Sequence, residues 1–120
     1  MAKRDVQVRR VYDPVEPTDG TRVLVDRLWP RGVSKERAHL DEWLKQVAPS
    51  SELRTWYGHD PAKFDEFARR YRAELKQGEQ ATALAELEHL VADGPVTLLT
   101  AAKASNISEA TVLRDLLTGR

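Results

Sequence analysis

The stretch VTLLTAA, Val96 to Ala102, decides the fold. It is short and nearly all apolar, with Asp93-Gly94-Pro95 before it and Lys103 after it. A strand with apolar side chains on both faces must be covered on both, which is the habit of parallel sheets. Two further β-rich stretches lie near the N-terminus. VQVRRVY (Val6 to Tyr12) alternates in part, and TRVLVDRLW (Thr21 to Trp29) runs until Pro30 and Gly32 stop it. Between them DPVEPTDG, with two prolines and an Asp-Gly, reads as a loop.

The rest of the chain carries helical periodicity. Ser34 can cap a short helix, and Leu40, Trp43, Leu44 and Val47 then recur at helical spacing. Ser50 is placed to cap a second helix, with Leu53, Trp56 and Tyr57 on one face. Asp60 can cap a third whose first residue is Pro61, where the missing N–H costs least. Phe64, Phe67, Ala68, Tyr71 and Leu75 form its stripe, and Gly78 is expected to end it. Leu84, Leu87, Leu90 and Val91 mark a fourth helix. Val112, Leu113, Leu116 and Leu117 mark a last one, with Asn106 and Glu109 in the form of a capping box. The order β, β, several helices, β, helix predicts an α/β fold: a small parallel or mixed β-sheet packed with several α-helices, one domain over residues 1–120.

Composition bounds the function. The chain contains no cysteine, which excludes disulfides, thiolate nucleophiles and cysteine-held metals. No apolar run approaches the ~20 residues of a membrane span. The basic start MAKRDVQVRR has no apolar stretch behind it, so no signal peptide is expected and the expected location is cytoplasmic. The formal net charge is zero, which argues against a dedicated nucleic-acid binder. The charges are nonetheless uneven. Residues 1–37 hold nine Lys or Arg against six Asp or Glu, and residues 77–102 hold four acids and no Lys or Arg.

In open parallel sheets, ligands bind beyond the C-terminal ends of the strands. VDRLWPRG, Val25 to Gly32, lies at such an end, and so does Lys103. If the strands at 22–29 and 96–101 are parallel neighbours, both groups face one crevice. Guanidinium groups suit bidentate contact with phosphate or carboxylate, so Arg27 and Arg31, with Lys35 and Lys103 adding charge, are the expected anion ligands. Asp26 is the one candidate catalytic residue, either orienting an arginine or acting as a base; equally, an Asp–Arg pair here could simply tie the strand to the first helix. Trp29 and His59 are possible accessory residues. His59-Asp60 reads more readily as a helix-cap turn than as a catalytic pair, and Trp43 and Trp56 read as core. His39, His59 and His89 share no metal-ligand spacing, so neither a metal nor a cofactor is expected.

Residues 50–76 also have the outline of a helix-turn-helix, which gives a rival reading as a DNA-binding regulator. Its basic residues Arg69, Arg70, Arg72 and Lys76 cluster at the end of the second helix, whereas a reader contacts bases near the start. A third reading is a protein-interaction module without catalysis. The expected partner is a phosphate-bearing small molecule or a nucleic-acid end, with no membrane; nothing in the sequence sets the oligomeric state.

RVLVDRLWPRGVSK (Arg22 to Lys35), the run from Trp43 to Leu75, and VTLLTAAK (Val96 to Lys103) together resemble the domain-of-unknown-function 488 family, in its short YeaO-like branch. The resemblance implies a compact α/β domain, usually a standalone bacterial protein, with no established activity. Asp26, Arg27, Trp29, Pro30, Arg31, Gly32, Lys35, Trp43, Pro49, Ser50, His59, Asp60 and Lys103 match its pattern. The C-terminal part departs from it. Thr100 and Ala104 stand where relatives have Tyr and Asp, and SNISEA replaces a His-Asn element. If those positions carry the family's chemistry, this chain binds without catalysing.

Overall fold

The structure, a computed structural model, describes residues 5–119; the basic Met1–Arg4 read for a targeting signal lie outside them. Four strands form one sheet in the order β1-β4-β2-β3, from β1 (Val6–Arg10), β2 (Thr21–Leu24), β3 (Glu42–Trp43) and β4 (Val96–Thr100). Every pairing is parallel. β4 is buried along its whole length, as its two-faced apolar run requires. It lies between β1 and β2, so the expected parallel neighbours are neighbours.

The register sorts the side chains by face. Val8 and Val23 both pair with Leu98 and face the main core, which holds Phe67, Tyr71, Leu87 and Leu113. Leu24 pairs with Leu99, and these face a smaller core with Val11 and Ala38. Helices α2 (Ser51–Tyr57), α3 (Phe64–Glu74), α4 (Gly78–Asp93) and α5 (Glu109–Leu117) supply the main core, and the single turn α1 (Lys35–Ala38) closes the other face. The chain therefore leaves β2 toward one face and leaves the adjacent β4 toward the other. Such a divergence opens a crevice at the strand C-termini.

At the opposite end of the strands a buried charge network holds the loop before β2. Asp19 accepts from Arg9 at 3.2 Å and from the Glu16 N–H at 3.0 Å, and pairs closely with Arg22. Arg22 also donates to the carbonyls of Ala38 and His39, each at 3.1 Å. Burial would raise the Asp19 carboxyl, but the Glu16 N–H and the two arginines outweigh it and hold it below the ordinary value. Next to it Gly20 adopts φ 64°, and a Cβ there would meet the Pro95 carbonyl oxygen at 2.2 Å. Only glycine meets both demands.

Local signals hold well. Ser34 accepts from the Arg37 N–H, Ser50 from Leu53 and Asp60 from Ala62, with Pro61 opening the turn that leads into α3. Other expectations are corrected. No helix joins Ser34 to Val47. α1 stops at His39, in the left-handed region at φ 49°, and the chain turns into β3, where Trp43 pairs with Leu24. β2 ends at Leu24 rather than Trp29, because its ladder partner β4 ends at Thr100 and only one further bond forms, Val25 N–H to Leu99 at 3.1 Å. α3 is already finished before Gly78, which opens α4 instead. Asn106 caps nothing: it lies in a 3₁₀ turn, Ser105–Ile107, and Ser108 precedes α5. Among the described residues no helix is long and apolar enough to cross a membrane.

Candidate functional site

The crevice at the strand C-termini has a volume of about 390 Å³, within the range of small-molecule sites. Each wall comes from a different element. Tyr12 follows β1, Asp26 to Arg31 follow β2, Thr100 ends β4 with Ala101 and Ala102 after it, and Arg54, His59 and Glu109 come from α2, the turn after it and α5.

Asp26 is the hub of the floor. Because the β2–β4 pairing runs one residue past Leu24, its carboxylate lies beside the end of β4. It accepts from the Thr100 hydroxyl at 2.8 Å and from the Ala101 N–H at 2.7 Å. Its oxygens are thus given to β4 rather than to an arginine. Its backbone carbonyl accepts from the Trp43 indole at 2.8 Å, which ties the floor to β3. Trp29 stands edge-on to Trp43 with ring centroids 5.3 Å apart, and its indole N–H goes to Val33 at 2.6 Å. Trp29 therefore shapes the wall with its polar edge already satisfied.

Glu109 lies against Asp26. Burial, then the hydrogen bond to Asp26 and the charge of that group, push the Glu109 carboxyl well above the ordinary glutamate range; its own backbone N–H and Arg54 oppose the shift. Two carboxyls in contact share one proton most readily. Asp26 thus accepts from a hydroxyl and an amide on one side and faces a second carboxyl on the other.

Arg54 contributes the least satisfied group. Its Nη2 donates to Ser51 at 3.1 Å, yet its Nε is buried and has no hydrogen-bond partner among the described residues. A buried donor left unpaired is costly. Its helix start is pinned, since Ser50 donates to Glu74 at 2.6 Å through its hydroxyl and at 2.9 Å through its N–H. The guanidinium thus spends one donor on Ser51, and its buried Nε is unpaired among the described residues.

Of the residues expected from sequence, Asp26, Arg27, Trp29, Arg31 and His59 line the crevice together. Arg27 and Arg31 are exposed and carry no side-chain ion pair among the described residues. Lys35 and Lys103 are exposed and do not line it. Lys35 travels with α1 to the other face of the sheet. Sequence reasoning missed Arg54 and Glu109, although a signal existed. Glu109 stands three and four residues before Val112 and Leu113, and Arg54 three before Tyr57, so each occupies the apolar register of its helix. In the segment 50–76, Arg69 and Arg70 both engage Glu66, and Arg70 stacks over Trp56 at 4.2 Å.

The fold and the site define a class: a small parallel α/β domain with an arginine-rich crevice at the strand ends and an acid pair on its floor. The chain belongs to the family described as the inactive DUF488-N3 subclade, which it matches over residues 5–120. It is 50% identical over 115 residues to the uncharacterized protein Rv3073c of Mycobacterium tuberculosis, spanning 96% of this chain and 95% of that one. It is 44% identical over 113 residues to the uncharacterized protein YeaO of Escherichia coli, spanning 94% and 96%. No solved structure gives a significant match.

Proposed function

We propose that the crevice binds a phosphate-bearing ligand, such as a nucleotide or a nucleic-acid end, and that this binding is the protein's function. The observation that carries the reading is the set of three guanidinium groups, Arg27, Arg31 and Arg54, that line one crevice. Guanidinium groups bind phosphate oxygens in pairs, and each of these three has donors to spare. An acid pair that shares one proton carries one negative charge against three guanidiniums, so the crevice attracts anions. Asp26 fixes the floor through Thr100 and Ala101, and His59 stands at the rim as a further donor.

The family's description as inactive favours binding over turnover. The chain's own departures, Thr100 and the SNISEA segment, fall at this crevice or beside it. The Thr100 hydroxyl is committed to Asp26, so it serves the floor of the site.

Calorimetric titration with inorganic phosphate and a nucleotide panel at low salt tests the reading. Wild type is expected to bind, and Arg54→Leu to lose at least about tenfold in affinity, the loss of one charge-assisted hydrogen bond. Equal affinities in wild type and variant would overturn the assignment of Arg54. Absence of binding across the panel would overturn the function.

A further inference from the structure

A second groove adjoins the crevice at Arg27. Arg27 and Ala48 are also part of the wall of this groove, about 590 Å³, which runs toward the start of α4. Its other walls are polar: two serines, three glutamines and one carboxylate, Glu79. Gln46 and Gln77 are exposed there, and neither amide has a side-chain hydrogen bond among the described residues. The Gln80 amide is anchored through its nitrogen, which donates to the Ala48 carbonyl and to Glu74, each at 3.0 Å, leaving its oxygen as an acceptor. Ser51 accepts from Arg54, leaving its hydroxyl proton to donate.

The two grooves differ in chemistry. One offers guanidinium groups, and its neighbour offers carboxamides, a hydroxyl and the Glu79 carboxylate, all able to pair with hydroxyl groups. Carboxamides carry both donors and acceptors, as hydroxyl groups do, and the two pair readily. An aromatic or aliphatic body would leave these polar groups desolvated and unpaired. We infer that the ligand is a sugar phosphate or a molecule containing one: its phosphate sits at Arg27, Arg31 and Arg54, and its hydroxyl-bearing body passes Arg27 to lie along Gln46, Gln77 and Gln80. The inference rests on the phosphate reading above and adds the class of the body attached to the phosphate.

The test is calorimetric titration of the full chain with three probes: inorganic phosphate, ribose 5-phosphate and phenyl phosphate. It is run on wild type and on the double variant Gln46→Ala/Gln77→Ala. Both glutamines are exposed, so the variant is expected to fold, and circular dichroism checks this. Ribose 5-phosphate is expected to bind wild type about tenfold more tightly than inorganic phosphate, the gain from two additional hydrogen bonds. The double variant is expected to lose that gain while binding inorganic phosphate as wild type does. Equal affinity for phosphate and ribose 5-phosphate would overturn the inference and leave the phosphate reading standing. So would phenyl phosphate binding as tightly as ribose 5-phosphate, or a gain that survives in the variant. No binding of any probe would overturn the phosphate reading, and the inference with it.

Discussion

Replacing Glu109 with Gln removes one titratable proton from the crevice floor and keeps a donor for Asp26 and an acceptor for the residue's own N–H. In the folded chain Glu109 holds its proton to a pH well above the ordinary glutamate value, because burial and the adjacent Asp26 both disfavour its charge. The unfolded chain loses that proton near pH 4.3. Between the two values the folded state binds more protons, so stability is complete below about pH 4.3 and falls as pH rises through the window. The slope is at most about 1.4 kcal/mol per pH unit, and the partial solvent contact of Glu109 lowers it. Glutamine has no such slope. Wild type and Glu109→Gln should therefore differ least near pH 4 and separate steadily above it, with the variant gaining in relative stability. For a chain of 120 residues, 1 kcal/mol moves Tm by about 3–6 °C, so the separation grows by up to about 4–8 °C per pH unit inside the window. Thermal unfolding followed by circular dichroism at pH 4, 5, 6 and 7 measures it. A difference between the two proteins that does not change with pH would show that Asp26 and Glu109 share no proton.

Three further outcomes follow from the same structure. Arg31→Ala should leave stability within about 0.5 kcal/mol of wild type, since among the described residues its exposed side chain makes no hydrogen bond or ion pair and its carbonyl accepts from the Tyr12 hydroxyl at 3.1 Å, while phosphate affinity falls; a large drop in Tm would make Arg31 a structural residue. Asp19→Asn should cost about 3–5 kcal/mol, because it strips one partner from a buried charge network, and urea unfolding at pH 7 reads it. The Asp19 carboxyl is held low, so its contribution to wild type is present above about pH 3.9 and is lost as pH falls through the folded value; an Asp19→Asn penalty that stayed constant down to pH 2 would contradict this. Gly20→Ala should destabilise by more than about 2 kcal/mol, from strain at positive φ added to the clash with Pro95, and near-neutral unfolding data would mean the loop moves aside freely.

The sheet was legible in the sequence where one strand's composition stated its environment. VTLLTAA needs cover on both faces, and a parallel central strand provides it. The caps at Ser34, Ser50 and Asp60 were legible because each depends on contacts within three residues. β3 was not, since two residues carry no period and its place depends on distant bonds, Asp41 N–H to the Arg22 carbonyl and the Trp43 indole to Asp26. The same limit divides the site. Asp26, Arg27 and Arg31 follow from their position at a strand end. Arg54 and Glu109 come from helices whose approach to that end is set by tertiary packing, and their only local trace is a charge on an apolar register. Lys35 sat close in sequence to the right loop, but α1 carries it to the other face.

In the phosphate reading the Arg54 guanidinium meets a phosphate beside Arg27 and Arg31. Nitrogen-15 NMR of the arginine side chains during a titration with inorganic phosphate observes that group directly. The expected result is a saturable shift of the Arg54 Nε–H resonance, accompanied by smaller shifts at the Ala101 amide and at Arg27. An Arg54 Nε–H signal that stays in place through the titration, while exposed arginines such as Arg69 move as much as Arg27, would contradict it.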